Sequence, residues 1–316
     1  MHTGSFLNFS HLKPPSRLIL LIFIILACML FSSLFAMGSA VLFWGKQVLE
    51  VSDPSVIQSN PSLIAAYKYM QMVNHAGTFL LSGFIYLFFT DSQRIKRIST
   101  GRLPSQPQIW MVLLLIIIST PWISKVYEWN QSFSLSRWPS VEQWFKQTAQ
   151  QSEDIMNAFL HQPSVKGTIA NFLIIAILPA LGEELIFRGI LQPLLSEWWK
   201  NIHLSILITA VLFSLMHLDI FGFIPRLGLG IMFGYLYYFG ATLWLPILAH
   251  FLNNSLALVA SFLSEKHLTN IPYQEFGNVD NPWVNLLSFI FTIFIFVWFY
   301  QTRTKTQLTR KEEHLL

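Results

Sequence analysis

Residues 18–43 read LILLIFIILACMLFSSLFAMGSAVLF, 26 consecutive positions without one charged side chain. About 20 apolar residues, rising about 1.5 Å each along a helix, cross the hydrocarbon of a bilayer. The run is also longer than the roughly 7–15 apolar residues of a secretory signal. Lys13 and Arg17 before it and Gly38, Ser39 and Ala40 after it imitate such a signal, but the length predicts a retained membrane helix. Working outward, the same reading finds seven more apolar runs: Met70–Phe89, Ile109–Tyr127, Gly167–Leu195, Leu204–Phe221, Leu227–Phe239, Leu243–Leu263 and Trp283–Tyr300. The fold class is therefore all-α, a polytopic transmembrane helical bundle of about eight spans. Leu227–Phe239 is the short one, expected to be tilted or partly re-entrant.

Composition agrees. Apolar residues make up 53% of the chain and charged ones 11%, against about 25% charged in a typical soluble domain. The formal net charge of +4 is spread over several loops; it reads as an orientation signal and not as a nucleic-acid footprint, so no nucleic-acid partner is expected. Lys13 and Arg17, then Arg94, Lys96, Arg97 and Arg102, then Arg303, Lys305, Arg310 and Lys311 fall on one side of an eight-span chain. That side is expected to be cytoplasmic, with both termini on it, in an integral protein of a plasma (inner) membrane. The opposite loops, 44–69, 128–166 and 264–282, are longer and mixed in charge, and the second is expected to hold a surface helix around Val141–Phe159. The lone cysteine, Cys28, forms no internal disulfide and reads as a packing residue.

Ionisable residues inside apolar spans are costly and mark functional sites. The fourth span carries Glu183, Glu184 and Arg188, the fifth His217, and the seventh His250, Asn253 and Asn254. Glu184 and Arg188 are four apart with the acid first, the favoured order for a helical ion pair. Glu183 sits about 100° round the helix and is left to face another neighbour. Pro179 and Gly182 loosen the helix just before it. His250 and Asn254 share a face, as do Phe213 and His217, whose ring pair would fix the histidine. Counted from the cytoplasmic helix ends, Glu183 and His217 lie roughly 20 Å deep, His250 roughly 10 Å and Asn254 roughly 16 Å, one zone of the membrane. Asn74 and His75 in the second span read as polar groups that bond across helices.

A buried carboxylate with a histidine can hold and deprotonate a water, and a histidine and an asparagine can donate to a developing oxyanion. Those are the parts of amide hydrolysis. The same groups, Glu183, His217 and His250, are candidate ligands for a divalent metal such as zinc. Neither His-Glu-x-x-His nor Gly-x-Ser-x-Gly occurs.

Glu183-Glu184-x-x-x-Arg188, Phe213-x-x-x-His217 and His250-x-x-x-Asn254, in that order on separate spans, resemble the three-motif signature of the CPBP family of intramembrane proteases. That family includes the type II CAAX prenyl endopeptidases and the abortive-infection proteins. The resemblance implies a protease core over residues 165–265. It would be preceded by a membrane region, 1–164, with about three spans and a surface loop, and followed by 266–316 with a loop, the last span and a basic tail. It also implies that Glu183 is the general base holding water with His217, that His250 and Asn254 form the oxyanion site, and that Glu184, Arg188 and Phe213 support it. The expected substrate is a peptide or a lipidated, CAAX-type protein in the bilayer. The ligand count favours no cofactor, because asparagine is a poor zinc ligand, with a glutamate or metallo-endopeptidase as the two forms considered. Two other classes suit the same residues: a non-catalytic membrane scaffold or immunity factor, and a proton-coupled transporter. No internal repeat supports the last.

Overall fold

The computed structural model describes residues 8–50, 60–91, 103–160, 165–265, 268–270 and 275–313. The basic loop residues Arg94, Lys96, Arg97 and Arg102 lie outside them. Among the described residues 86% are helical and none is in a strand.

Helix α1 (Pro14–Trp44) turns Ile19, Phe23, Leu30, Phe31 and Leu34 outward. Its inner edge is a row of small residues spaced by four: Cys28, Ser32, Ala36 and Ala40, all buried. Such a row lets two backbones approach closely in a membrane, where the hydrophobic effect between helices is weak. Against it lies α2 (Ser62–Thr90), whose Gly77 stands over Ser32; a Cβ at Gly77 would come within 2.3 Å of the Ser32 Cβ. Asn74 reinforces the contact by accepting from Ser32 and Ser33 at 3.0 and 2.9 Å. Cys28 is thus the packing residue expected.

Helix α3 (Gln106–Gln131) contains Pro121 and packs on the last helix. There Ser288 bridges the Trp122 N–H and the Ile118 carbonyl, two ends of one helical rung next to the proline. The surface helix α4 (Pro139–Leu160) runs where one was expected. Its end is pinned at the Phe159 carbonyl, which accepts from Lys68 on α2 and from Asn171 on the next helix, at 3.1 and 2.7 Å.

Helix α5 (Lys166–Trp199) is the long central span. It widens twice into π-helix, at Phe172–Ile177 and Leu185–Leu191, on either side of the segment Leu178–Glu184. Single π-turns of this kind commonly stand at functional sites.

The next two helices correct the sequence reading. The run Leu204–Phe221 was expected to be one full span and Leu227–Phe239 the short one; the order is reversed. Helix α6 (Ile202–Leu215) has 14 residues, about 21 Å at 1.5 Å each, less than the roughly 30 Å of hydrocarbon. Helix α7 (Phe223–Gly240), with the 3₁₀ turn Ile220–Gly222 before it, is long enough to cross. The apolar run conceals a break. Leu218 adopts φ 51°, the left-handed region that a leucine rarely enters. Asp219 then caps the new turn, accepting from the Phe221 and Gly222 N–H groups at 3.0 and 3.2 Å. Asn130 at the end of α3 holds that turn in place, donating to the Ile220 carbonyl at 3.0 Å and accepting from the Ile224 N–H at 2.8 Å.

Helices α6 and α7 form a tight hairpin. Gly230 and Gly234, four apart on α7, let it close: Cβ atoms there would meet Ala210 Cβ at 2.9 Å and Ile206 Cγ2 at 2.7 Å. Helices α8 (Trp244–Glu265) and α9 (Pro282–Glu313) complete the bundle. Among the described residues seven helices are long and apolar enough to cross a membrane, with α6 as a shorter apolar helix beside them.

Candidate active site

The centre of the bundle holds charge. Glu184 and Arg188 on α5 are both 0% exposed and pair at 2.8 Å. Two buried ions cost much less together than apart, provided that their remaining bonds are made. The pair meets that condition in part: Arg188 Nε and Glu184 Oε2 have no hydrogen-bond partner in the protein, but Arg188 is held from three sides. It donates to the Gly230 carbonyl of α7 at 2.9 Å, and its guanidinium lies 4.7 Å from the Phe213 ring and 5.4 Å from the Phe233 ring. Cation–aromatic contacts of this kind strengthen where water is excluded. The ion pair expected from the i,i+4 spacing is present, and it is the hub that ties α5 to α6 and α7.

The same Glu184 Oε1 accepts a second hydrogen bond, from His250 Nδ1 of α8 at 2.9 Å. The His250 ring is stacked on Phe233, at 5.4 Å and 23°, and meets Phe213 edge-on at 5.9 Å. With one ring nitrogen bonded and both neighbouring rings fixed, the other nitrogen has a defined direction. That nitrogen, Nε2, lies 4.0 Å from Glu183 Oε2. The neighbour that Glu183 lacked on its own helix is therefore His250. Glu183 is 6% exposed, and its Oε2 is buried without a hydrogen-bond partner in the protein.

Asn254, one turn after His250, donates from Nδ2 to the Ile175 carbonyl at 2.9 Å. Ile175 lies in the first π-helical stretch of α5. The amide therefore bonds the irregular part of α5 and keeps its second N–H for another partner.

His217 is at the exposed edge of the buried cluster, within electrostatic range of His250. It follows the end of α6, in the turn before Leu218, and not within a span as expected. Its Nδ1 donates to the Phe213 carbonyl at 2.9 Å, and its ring meets the Phe213 ring edge-on at 5.2 Å. The Phe213–His217 pairing expected from the spacing is present. Among the described residues no hydrogen bond joins His217 to Glu183. His217 and the flanking Met216 and Leu218 are exposed on the protein's surface.

The sequence reading passed over three contributors. Phe233 and Gly230 on α7 wall and bind Arg188. Gly230-x-x-x-Gly234 was the available signal, since that spacing marks a helix packed backbone to backbone. Arg226 pairs with Asp219 at 2.8 Å and lies within electrostatic range of both Glu183 and His217. An arginine inside the apolar stretch 223–240 was its signal.

Among the described residues, no three His, Cys, Asp or Glu side chains come together as a group that could hold a metal ion. Of the candidate ligands, Glu183 Oε2 and His250 Nε2 lie together, 4.0 Å apart, and His217 does not complete a group of three with them.

Residues 165–256 match the model of a protein family described as Type II CAAX prenyl endopeptidase Rce1-like. The matched stretch runs from α5 into α8 and contains Glu183, Glu184, Arg188, Phe213, His217, His250 and Asn254. The match supports the CPBP/CAAX protease family and, in general terms, a CAAX-type intramembrane protease activity. No curated protein and no solved structure matches the chain.

Proposed function

We propose that this integral membrane protein is an endopeptidase that hydrolyses a peptide bond of a membrane-associated substrate with a water activated by Glu183. The observation that carries the reading is the placement of Glu183: buried, with a partnerless Oε2 4.0 Å from His250 Nε2, inside the stretch that matches a peptidase family.

In this reading Glu183 takes a proton from water as the water oxygen attacks the substrate carbonyl. Negative charge develops on the carbonyl oxygen. His250 Nε2 and the second N–H of Asn254 donate to it. For that task His250 carries a proton on Nε2 while its Nδ1–H donates to Glu184 Oε1. Glu183 then passes its proton to the leaving amine as the C–N bond breaks, giving one carboxylate and one amine product. His217 has Nδ1–H committed to the Phe213 carbonyl, so Nε2 carries a lone pair that accepts a hydrogen bond from the water at the exposed edge of the site.

The substrate class is a peptide or prenylated Cys-a-a-X tail held in the bilayer. Both termini would face the cytoplasm of a plasma (inner) membrane, with cleavage in the cytoplasmic half, in keeping with the basic residues near the first and last helices. No cofactor takes part. The test is to place the purified protein in lipid vesicles with a peptide library that includes prenylated and unprenylated tails, and to identify products by mass spectrometry. New termini at a defined bond support the reading. Proton or solute flux without cleavage would replace it with a transporter.

A further inference from the structure

Asn74 and His75 are adjacent in α2 but do different things. Asn74 faces α1, accepting from Ser32 and Ser33. His75, about 100° round the helix, faces α5. A Cβ at Gly182 would lie 3.5 Å from His75 Nε2 and 2.8 Å from Phe79 Cβ. Gly182 is the residue before Glu183: the missing side chain there makes room for Phe79, and the imidazole next to Phe79 lies against the carboxylate's own turn.

The ring is held. It packs on Phe79 with centroids 4.6 Å apart at 34°, and it hydrogen-bonds the Leu178 backbone of α5. The π-helical stretch Ala76–Leu81 starts at the next residue and packs on the Leu178–Glu184 segment. Yet His75 Nε2 is buried with no hydrogen-bond partner in the protein, as is Glu183 Oε2. Buried polar atoms are nearly always bonded, so two that are not, on facing sides of one turn, call for an explanation. His75 is also within electrostatic range of both His217 and His250. The bond to the Leu178 backbone ties the ring to α5 and leaves Nε2 to be accounted for.

We propose that His75 is a further catalytic residue: its Nε2 hydrogen-bonds the water that Glu183 activates. The proposal rests on the protease reading above. It makes α2, outside the matched stretch 165–256, part of the active site, and it gives the water a partner besides Glu183 and His217 before substrate arrives. No bond is made or broken at His75. Its effect is on the position of the water and so on kcat more than on KM.

The experiment compares wild type, Glu183→Gln, His75→Leu and His75→Gln in the same vesicles, with melting temperature measured on each. The His75→Leu variant is expected to lose about 10- to 100-fold in kcat, with KM within about threefold. Glutamine keeps a polar group near the Nε2 position, so His75→Gln is expected to recover most of the loss while both variants melt as the wild type does. If His75→Leu does not fold, His75→Phe replaces it, since phenylalanine can stack on Phe79 without the nitrogen. A His75→Leu enzyme at the wild-type rate overturns the proposal. So do Leu and Gln variants that lose activity equally and melt early together, which would mark a packing role. A wild type that cleaves nothing removes the protease reading and this role with it, whereas cleavage by wild type beside an unaffected His75→Leu removes this role alone.

Discussion

His250 Nδ1 lies 2.9 Å from Glu184 Oε1, and the same oxygen accepts from Arg188 at 2.8 Å. One carboxylate oxygen thus serves as the junction of α5, α8 and, through Arg188 and Gly230, α7. The arrangement orients His250 toward Glu183 without using Glu183 to do so.

The first prediction concerns that junction. Replacing Arg188 by methionine leaves the Glu184 carboxylate buried without its cation, a loss of about 3–5 kcal/mol by the usual cost of breaking a buried pair. Arg188→Met is expected to melt well below wild type in detergent. The Arg188→Lys variant restores charge but lacks the guanidinium fork that reaches both Glu184 and Gly230, and it is expected to recover only part of the difference. Equal melting of all three would remove the hub role.

Asn254 separates stability from rate. Its bond to the Ile175 carbonyl is one interhelical hydrogen bond, worth about 0.6–1.7 kcal/mol in a membrane. As an oxyanion donor it would contribute about 100- to 1,000-fold in rate. The Asn254→Ala variant is therefore expected to fold and melt slightly early, and to lose cleavage by about two to three orders of magnitude. Paired melting and rate measurements check both halves; a rate loss below about tenfold would leave only the structural bond.

The α6–α7 hairpin gives a packing prediction. A valine at Gly234 would drive its Cβ into Ile206 at 2.7 Å, and overpacking of this kind costs about 1–3 kcal/mol. Gly228, on the same helix, meets only Trp122 at 3.6 Å. Gly234→Val is expected to lower the melting temperature, whereas Gly228→Ala changes it little. The reverse order would mean that the hairpin packs through another face.

How much of this was legible in the sequence follows from the kind of signal each feature leaves. The spans α1, α3, α5 and α8 and the Glu184–Arg188 and Phe213–His217 pairs come from local spacing, which a helix turns directly into proximity. The break at Leu218 left no such mark: apolar residues continue through it, and only a backbone angle and the Asp219 cap reveal it. The His250–Glu184 and His250–Glu183 contacts join residues more than sixty positions apart, and no spacing rule reaches that far. His75 was read together with Asn74 because both are polar groups in one span; which neighbour each faces depends on how α2 is rotated against α1 and α5.

Leu218 supports a further prediction. A leucine in the left-handed region costs about 1–2 kcal/mol relative to an unstrained backbone, and glycine adopts that conformation freely. The Leu218→Gly variant is expected to keep or raise the melting temperature while lowering cleavage, because the turn that fixes His217 becomes mobile. Unchanged cleavage would show that the turn's rigidity is not used.

The most direct test of the central claim is cleavage by wild type beside Glu183→Gln in the same lipid vesicles, each variant's folded state confirmed by its melting curve. Glutamine keeps the size and hydrogen-bonding reach of Glu183 but cannot take a proton from water. The account predicts defined cleavage products from wild type and a fall of at least about 100-fold in Glu183→Gln, with both proteins folded. Products formed at the wild-type rate by a folded Glu183→Gln would contradict it.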